Sequence, residues 1–553
     1  MGFQKDLNKF KPRKEQKEAI EFINNQYKEN PTTKFFLLDL PVGTGKSHLS
    51  FMIADWYRKN VNGNTRLDII TNSKILQDQY SQTYESIADL KGKNNYQCKK
   101  YSCSCLQGAE FNQLNKTKCD ECPYAEARDG FVNSGIALTN FYLYVLYAIH
   151  NPKILENRGS RVLIVDECHS FDDVISDFIS VKITENMIKK YKFSSESEIL
   201  QKLNDISSID NYVSFLKYFS SHITNTIESM EENLSNVKRN ETSDRRDLRI
   251  SNLTNNTNKD VKKMNQVTDL TQLLSKITVF IKEYKDNPDN WVLESNYNKK
   301  TKKSELSLEP IWAYDYLDKY VFSNYQMVFL MSGTILNKQL FCKLNGLNVE
   351  KAAYYSIDSP FEKKNRPIYY MPIGKMSYRF KQDTFRKYIP YIKKILKKYH
   401  NSKGVIHTNS FELSNWIKES IKDPRLVFHD SDNKDEMLDM HKRSDKPVVL
   451  VSPSIYTGVS LNDSEARFQI IAKIPYPSLQ SQKNKERKNK DKLWYAWKTS
   501  SSLQQACGRI VRSNTDYGDT IILDASFGDV LKYSSRLMPR WFKDAIKKVS
   551  VKN

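Results

Sequence analysis

The sequence predicts an α/β protein with two domains, each built around a parallel β-sheet. Short apolar runs rich in β-branched residues recur along the chain with helical stretches between them, which is typical of parallel sheets. These runs fall into an earlier and a later set, and 553 residues are enough for more than one domain. Because helices connect parallel strands, we expect ligands at the carboxyl ends of the strands.

The earlier set of apolar runs predicts the strands of the first sheet, and the later set predicts those of the second. The earlier runs are residues 35–38, 67–71, 135–139, 162–165 and 327–331. The later runs are residues 404–407, 426–428, 447–451, 469–472 and 520–523. Two such sheets in one chain indicate two stacked α/β domains.

Residues 175–309 differ in character from both sets of strands. The segment is rich in Asn, Lys and Glu and carries apolar residues at helical spacing, for example Ile199, Leu203 and Ile206. This pattern predicts a helical insertion in the first domain. Its middle, residues 235–263, has few apolar residues, so we expect an exposed hairpin or a poorly ordered stretch there.

A glycine-rich turn, residues 41–47, follows the first predicted strand. Its glycines let backbone N–H groups close around phosphates, Lys46 can reach the β- and γ-phosphates, and the Ser47 hydroxyl can contact Mg²⁺. Leu40 replaces the first glycine of the strict loop pattern, and the alternative is a tight strand-to-helix connection without a ligand. The predicted nucleotide ligands in this turn are Gly43, Thr44, Gly45, Lys46 and Ser47.

A second predicted strand ends in the tetrapeptide Asp166-Glu167-Cys168-His169. We expect Asp166 to hold Mg²⁺, Glu167 to take a proton from water, and His169 to belong to the same nucleotide site. Together with the glycine-rich turn, this tetrapeptide predicts hydrolysis of a nucleoside triphosphate. Gln16, about 30 residues before the turn, is the predicted adenine contact, although an ordinary helix start explains it equally well.

Gln505, Arg509 and Arg512 form a third motif, far along the chain. The two arginines are three residues apart, and a helix would place them on one face. From there they can reach across a cleft and stabilise charge on the γ-phosphoryl group during transfer. The alternative is a basic helix face on a basic protein. We predict that these three residues are catalytic, together with Glu167.

The charge of the chain favours a polyanionic partner. The net charge is +21 and the isoelectric point about 9.3, which is typical of nucleic-acid-binding proteins, although a general lysine enrichment has the same effect. No run of about 18 apolar residues exists, so we expect no membrane span. Residues 1–10 lack the apolar core of a secretory signal. We therefore expect a cytoplasmic protein without disulfides, associated with a nucleoid or in the cytosol of an infected cell.

Five of the eight cysteines lie between residues 98 and 122, close enough to predict a metal site. Cys119 and Cys122 form a C-x-x-C pair, a common chelating spacing, and Cys98 with Cys103 or Cys105 could complete four thiolates. Cys105 is preferred because it is nearer to the pair. Spacing alone does not separate a tetrahedral Zn²⁺ site from a [4Fe–4S] cluster, and unrelated reduced thiols are the alternative.

The order of these motifs resembles that of superfamily 2 helicases, and within them the XPD/DinG family of iron–sulfur DNA helicases. The resemblance extends from about Arg13 to Asp524, and the Asp-Glu box resembles the family's DEAH-like box, with Cys168 where alanine is usual. The segments that carry it are residues 90–98, which lead into the first cysteine, Cys122-Pro123-Tyr124, Leu138-Thr139-Asn140, Ser359-Pro360-Phe361, and residues 505–512 followed by Ser513, Asp516 and Gly518.

The resemblance implies RecA-like motor domains that use ATP and Mg²⁺ to translocate 5′ to 3′ on single-stranded DNA. It implies unwinding of forked or tailed duplex DNA in DNA repair, replication or recombination. It also implies that Cys98, Cys105, Cys119 and Cys122 hold a [4Fe–4S] cluster, with zinc as the less favoured metal. An alternative function is a nucleic-acid-stimulated ATPase that remodels its substrate with a zinc module and without processive unwinding, and an RNA helicase is a third.

The family pattern also divides the chain into segments. Residues 1–95, 131–174 and 310–345 are predicted to form the first motor domain, 96–130 the iron–sulfur insertion, 175–309 the arch-like helical insertion, and 346–553 the second motor domain. The resemblance implies that strands separate where the duplex meets the two insertions.

Overall fold

The computed structural model describes residues 2–101, 103–115, 117, 119–241, 250–298, 303–455 and 461–550. The strands are β1 (Phe35–Asp39), β2 (Leu67–Thr71), β3 (Ala88–Asp89), β4 (Ile136–Asn140), β5 (Val162–Asp166), β6 (Val181–Thr184), β7 (Trp291–Asn298), β8 (Lys303–Pro310), β9 (Met327–Ser332), β10 (Ala352–Ser356), β11 (Ile368–Gly374), β12 (Gly404–His407), β13 (Leu426–Phe428), β14 (Val449–Ser452), β15 (Phe468–Ile471), β16 (Asp519–Asp524) and β17 (Ile546–Lys548).

The helices complete the inventory of elements. They are α1 (Gly2–Leu7), α2 (Lys14–Glu29), α3 (Lys46–Asn60), α4 (Lys74–Thr83), α5 (Cys105–Asn115), α6 (Pro123–Asn133), α7 (Phe141–His150), α8 (Pro152–Arg158), α9 (Phe171–Ile179), α10 (Glu185–Tyr191), α11 (Glu196–Asn204), α12 (Ile209–Glu241), α13 (Ile250–Asp286), α14 (Tyr314–Tyr320), α15 (Lys338–Asn345), α16 (Lys381–Lys398), α17 (Phe411–Ser420), α18 (Lys434–Arg443), α19 (Gln482–Lys490), α20 (Lys492–Cys507), α21 (Phe527–Ser534) and α22 (Arg540–Lys543).

The first sheet is parallel and has the strand order β10-β1-β9-β5-β2-β4-β3. Every residue of β1, β2 and β5 is buried, as expected for a sheet that is covered on both faces. β9 lies between β1 and β5, with Asp39 of β1 opposite Ser332 and Asp166 of β5 opposite Met331. The carboxyl ends of the three strands are therefore level, which brings the glycine-rich turn close to the Asp-Glu box.

The second sheet is also parallel and has the order β13-β14-β12-β15-β16-β11-β17. Each apolar run of the earlier set overlaps a strand of the first sheet, and each run of the later set overlaps a strand of the second. The prediction of two α/β domains with parallel sheets is therefore confirmed.

The first sheet extends beyond the domain boundary predicted at residues 345 and 346. β10 (Ala352–Ser356) lies in this sheet and pairs with β1, whereas β11 begins the second sheet at Ile368. The sequence of β10, Ala-Ala-Tyr-Tyr-Ser, lacks the aliphatic run of a central strand because β10 is an edge strand with one neighbour. The chain thus crosses between the sheets in the segment from Ser356 to Ile368.

The insertion predicted as helical contains helices and also a small sheet. α12 and α13 pack together along a buried face that includes Tyr212 and Phe219 of α12. β6, β8 and β7 form a three-stranded antiparallel sheet, which the prediction omitted. Polar residues separate the apolar ones in β6 and β8, so these strands lack the continuous apolar run used to find the others, and in β7 the apolar run is limited to residues 291–293. Within the predicted polar middle, residues 242–249 lie outside the described residues.

One large apolar core connects the first sheet, the insertion and part of the second domain. It includes Phe171 and Ile175 of α9, Leu308 of β8, and Trp494 and Trp497 of α20. A helix that belongs to the second domain by sequence is therefore packed against the first. In the part of the chain that the structure describes, no helix is long and apolar enough to span a bilayer.

Candidate active site

The glycine-rich turn connects β1 to α3 at the carboxyl edge of the first sheet. Gly43 and Gly45 have φ angles of +91° and +76°, a backbone region that residues with a side chain rarely adopt. A Cβ on Gly43 would also overlap the ring of Phe361. Between the glycines, the buried Thr44 donates its hydroxyl to the Pro41 carbonyl at 2.9 Å. The turn thus has the compact, glycine-dependent conformation that a phosphate-binding loop requires.

Gln16 supports this turn from α2. Its Nε2 donates to the Gly45 carbonyl at 2.9 Å, and its Oε1 accepts from the Arg13 backbone N–H at 2.9 Å. The Arg13 guanidinium in turn donates to the Gly43 carbonyl. Gln16 therefore lies beside the nucleotide loop, with both ends of its amide bonded to backbone, and its contact with adenine stays a prediction.

Lys46 lies opposite the Asp-Glu box at this edge of the sheet. The Lys46 Nζ is 3.3 Å from Glu167 Oε1 and donates to the Leu40 carbonyl at 3.4 Å. On the other side of Glu167, Oε2 lies 3.3 Å from Nδ1 of His169. The same His169 nitrogen is 2.9 Å from the Ser332 hydroxyl. His169 thus links the box to the end of β9 and holds Glu167 in place.

Glu167 has an unusual backbone and a charged carboxylate. Its φ angle is +60°, in the left-handed region, where strain is stored most often at functional sites. Burial alone would raise the pKa of this carboxyl. Lys46 and then His169 have the opposite effect on the pKa and outweigh burial, so the pKa lies well below its usual value. The side chain is 29% exposed. Glu167 is therefore an ionised group that water can reach, as a proton acceptor must be.

Asp166 is 1% exposed, and its two carboxylate oxygens differ. Oδ2 accepts a hydrogen bond of 3.0 Å from Tyr80, whose hydroxyl also interacts with Ser47. Oδ1 is buried without a hydrogen-bond partner among the described residues. Burial, and then the charge of Glu167, raise the pKa of Asp166 to about 6. Because Mg²⁺ is commonly held by one or two carboxylates, this orphaned oxygen fits a magnesium ligand.

Arg509 and Arg512 approach the same site from the second domain, but not from a helix. α20 ends at Cys507 and Gly508 caps it, so Arg509 lies in the turn that follows and Arg512 in the irregular segment after that turn. The shared helix face expected for them is therefore wrong. The charge of Arg509 still acts on Glu167, where it helps to lower the pKa of the carboxyl after the effects of Lys46 and His169.

Gln505, which precedes Arg509 and Arg512, forms a hydrogen bond with the first domain. Its Nε2 donates to the hydroxyl of Thr334, just after β9, at 3.2 Å. A single cleft between the domains brings together side chains of the three predicted motifs. Lys46, Glu167 and Thr334 line this cleft from the first domain, and Gln505, Arg509 and Arg512 line it from the second.

Asp39 and Tyr80 support the site, although the sequence analysis did not identify them. Asp39 Oδ2 accepts from the Leu336 backbone N–H at 2.8 Å and from the Tyr354 hydroxyl at 3.0 Å. Burial raises the pKa of Asp39 to about 6. An acidic residue at the end of a fully apolar strand was the available signal for Asp39, whereas no pattern marks Tyr80.

The four predicted metal ligands lie together between β3 and β4. The Sγ atoms of Cys98 and Cys119 are 4.0 Å apart, Cys105 interacts with Cys122 and Cys98, and Cys119 interacts with Cys122. The Cys103 thiol donates to the Ser104 carbonyl at 3.5 Å, and its backbone carbonyl accepts from the Cys98 N–H at 2.7 Å. No group of three or more His, Cys, Asp or Glu side chains in the described ranges has the arrangement of a metal site. The four thiols fit a thiophilic metal by their chemistry, and the metal stays a prediction.

Two family models match parts of the chain. Residues 9–194 match the res subunit of type III restriction enzymes, and residues 392–545 match the helicase C-terminal domain. A probable ATP-dependent helicase of Methanocaldococcus jannaschii is 24% identical over 279 residues, which are 45% of this chain and 42% of that protein. A regulator of telomere elongation helicase 1 homolog of Caenorhabditis briggsae is 23% identical over 114 residues, 17% of this chain and 11% of that protein. The matches thus span less than half the length of these relatives.

The fold is similar to that of solved XPD structures. An apo XPD structure aligns over 97% of this chain and 100% of its own, with a TM-score of 0.61 and 15% identity. An XPD helicase structure aligns over 98% of this chain and 100% of its own, with a TM-score of 0.62 and 14% identity. Xpd4 of S. tokodaii aligns over 97% and 100%, with a TM-score of 0.55 and 14% identity.

Proposed function

We propose that the chain is an XPD-like superfamily 2 helicase, which hydrolyses ATP and uses the energy to move along single-stranded DNA and separate duplexes. The observation that carries this proposal is the cleft in which Lys46 and Glu167 of one domain lie opposite Arg509 and Arg512 of the other. A triphosphate bound there contacts both domains, and its hydrolysis breaks that connection. The cleft can therefore convert hydrolysis into relative motion of the domains.

The first domain binds the triphosphate and activates water in this proposal. The backbone of residues 43–47 and the Lys46 ammonium bind the β- and γ-phosphates. Asp166 and Ser47 would hold Mg²⁺, which neutralises phosphate charge when bound. Because the phosphates attract Lys46, ATP binding weakens the Lys46–Glu167 pair. The Glu167 carboxylate is then available to take a proton from the attacking water.

The second domain supplies positive charge to the transferring phosphoryl group. Burial and then Arg509 lower the pKa of Arg512 to about 10, so the guanidinium remains protonated at neutral pH. Arginines in such positions accelerate phosphoryl transfer by about 10³-fold or more. The hydrogen bond from Gln505 to Thr334 connects this segment to the first domain. ATP hydrolysis is therefore proposed to require the closed cleft.

Single-stranded DNA, within forked or tailed duplexes, is the proposed substrate. The net charge of +21 favours a nucleic-acid backbone over a neutral partner. The 5′ to 3′ direction, a role in DNA repair, replication or recombination, and a cytoplasmic or nucleoid-associated location are proposed from the family resemblance.

We also propose a [4Fe–4S] cluster on Cys98, Cys105, Cys119 and Cys122. The mutual contacts of these thiols support one shared site, and the family resemblance favours iron. A cluster would stabilise residues 96–130, because the buried side chains of this segment are few and share their core with residues outside it, such as Leu90 and Leu143.

The second candidate function is a nucleic-acid-stimulated ATPase with a zinc module. The 4.0 Å between the Cys98 and Cys119 sulfurs is close to the edge of a zinc–thiolate tetrahedron, about 3.8 Å for Zn–S bonds of about 2.3 Å. Metal analysis of anaerobically purified protein separates the two candidates: about four iron atoms per chain support the cluster, and one zinc without iron supports the module.

Phosphate release in the presence and absence of single-stranded DNA tests the proposed ATPase. We expect DNA-stimulated hydrolysis by the wild type and loss of hydrolysis in Lys46→Ala, which lacks the ammonium that binds the phosphates. DNA binding should be largely retained in this variant, because Lys46 lies in the nucleotide cleft. Hydrolysis at the wild-type rate by Lys46→Ala would contradict the assignment of the loop.

A further inference from the structure

Helices α19 and α20 belong to the second domain by sequence but lie on the first domain. Trp494 and Trp497 of α20 are buried in the same core as Phe171 and Ile175 of α9. The Trp497 Nε1 donates to the Ile335 carbonyl at 3.0 Å. The two helices thus form a packed interface with the first domain that includes buried side chains and a hydrogen bond.

α9 and α20 are each directly connected in sequence to residues of the active site. α9 starts at Phe171, just after the Asp-Glu box, and α20 ends at Cys507, just before Arg509. Because both helices are rigid, the contact between them sets the distance between Glu167 and the two arginines.

Two cations of the second domain pair with the acidic first turn of α9. The Lys498 Nζ, on α20, lies 2.7 Å from Asp173 Oδ2. The Arg487 Nη1, on α19, lies 3.7 Å from Asp172 Oδ2 and 3.9 Å from Asp173 Oδ1. The pKa of Asp173 lies well below its usual value because Lys498 and Arg487 outweigh the effect of burial. Both partners of the Lys498–Asp173 pair are therefore charged at neutral pH.

Arg487 is 2% exposed and is enclosed by aromatic rings. Its guanidinium carbon lies 5.3 Å from the centroid of the Trp312 ring and 5.4 Å from that of Trp494. Its Nε donates to the Ile311 carbonyl. A guanidinium held in this way cannot follow a large shift of α9.

Lys483 extends the same contact to the insertion. Its Nζ donates to the Ser176 hydroxyl of α9 at 2.6 Å and lies 3.5 Å from Glu309 Oε2 of β8. Its backbone N–H and the Ser481 hydroxyl both donate to Glu294 Oε1 of β7, at 3.0 and 2.6 Å. In these pairs the cations come from the second domain and the carboxylates from the first domain or the insertion. Separation of the helices would leave buried charges unpaired.

We propose that Lys498 is a positioning residue for ATP hydrolysis: its ion pair with Asp173 holds α20, and with it Arg509 and Arg512, in register with Glu167. This inference rests on the proposed ATPase function. Lys498 is not among the residues that line the nucleotide cleft, so it acts through the arginines. A displacement of about 1 Å at a catalytic group can cost about 10²-fold in rate, which is the scale of the expected effect.

Lys498→Met tests the proposal, because methionine keeps most of the apolar stem and removes the charge. We expect kcat of DNA-stimulated ATP hydrolysis to fall about 10- to 100-fold, while the affinity for a fluorescent ATP analogue changes less than about threefold. Lys498→Arg, which keeps the charge, should recover most of kcat. Lys492→Met, at the exposed start of the same helix, is the matched control and should hydrolyse ATP at the wild-type rate.

Hydrogen exchange provides a second readout that does not depend on activity. In Lys498→Met, amides of α9 and α20 should exchange faster than in the wild type, and in Lys492→Met they should not. If Lys498→Met does not fold, Asp173→Asn is measured in the same way with the same expected results.

A folded variant with wild-type kcat, or a loss of kcat that Lys498→Arg does not recover, would overturn the proposal. Absence of ATP hydrolysis by the wild type would instead refute the proposed function. In that case the hydrogen-exchange measurement still tests the contact: unchanged amide exchange in α9 and α20 of Lys498→Met would refute the claim that the Lys498–Asp173 pair holds these helices together.

Discussion

Asp166 and Glu167 are adjacent carboxylates whose pKa values differ because their surroundings differ. Asp166 is enclosed at the end of β5, and burial raises its pKa to about 6. Glu167 turns away from the strand with φ of +60° and lies between Lys46 and His169, which lower its pKa. Asp166 is thus a buried carboxyl with one oxygen unpaired among the described residues, and Glu167 is an ionised carboxylate that water can reach. The sequence predicted the pair, but the left-handed turn that separates their roles is visible only in the structure.

Glu167→Gln should bind ATP and Mg²⁺ but hydrolyse ATP slowly. The amide keeps the shape of the side chain but cannot accept the proton, and loss of a general base costs about 10²- to 10⁴-fold in rate. Single-turnover hydrolysis together with equilibrium nucleotide binding measures both effects. Asp166→Asn is the comparison variant and should mainly weaken the Mg²⁺ dependence. Loss of nucleotide binding in Glu167→Gln would assign the residue a structural role.

Arg512→Ala should lower kcat by about 10³-fold with a smaller effect on nucleotide affinity, because the guanidinium acts on charge that develops in the transition state. Steady-state ATP hydrolysis and binding of an ATP analogue give the two values. Arg536→Ala removes an exposed arginine of the same domain and serves as the control. An unchanged kcat in Arg512→Ala would contradict the arrangement across the cleft.

At the scale of elements, strands that are continuous apolar runs could be predicted, and strands without such a run could not. Central strands such as β1 and β5 are buried on both faces, so their sequences are continuous apolar runs. The short edge strand β3 and the partly exposed β6 and β8 have no such run. α20 was expected to include Arg509 and Arg512, but it ends earlier, at Cys507.

The metal ligands were predictable as a group because five cysteines lie close together in the sequence. The contacts among their thiols depend on the helices α5 and α6, which start at or just after cysteines 105 and 122. Spacing alone could not choose between Cys103 and Cys105. In the structure Cys105 interacts with Cys122 and Cys98, and Cys103 packs against the same cluster, so the preference for Cys105 stays a prediction.

Cys119→Ser should lose iron and strand separation but keep much of its ATP hydrolysis. The proposed cluster stabilises the segment between β3 and β4, whereas the nucleotide cleft is formed by other elements. Iron analysis, phosphate release and strand displacement are measured on one preparation. Cys103→Ser is the matched control and should keep its iron. Full strand displacement by iron-free Cys119→Ser would remove the metal from the mechanism.

At the scale of the whole molecule, several contacts among the described residues connect the two domains. The segment from Ser356 to Ile368 joins the sheets, the Gln505–Thr334 hydrogen bond crosses the cleft, and α19 and α20 pack on the first domain. The last of these contacts includes β7 and β8 of the insertion through Glu294 and Glu309. The insertion therefore contacts the helix that leads to the arginines. This path could not be predicted from sequence, because its ion pairs join residues far apart in the chain, 325 positions in the case of Lys498 and Asp173.

Strand displacement on tailed duplexes tests the central claim most directly. The substrates are one labelled DNA duplex with a 5′ single-stranded tail and the same duplex with a 3′ tail, each with ATP and Mg²⁺. With ATP, the wild type should separate the 5′-tailed duplex and leave the 3′-tailed duplex largely intact. With a non-hydrolysable ATP analogue it should separate neither duplex. Lys46→Ala should separate neither duplex with ATP. ATP hydrolysis that DNA stimulates, without separation of either duplex, would contradict the claim that the chain is a DNA helicase.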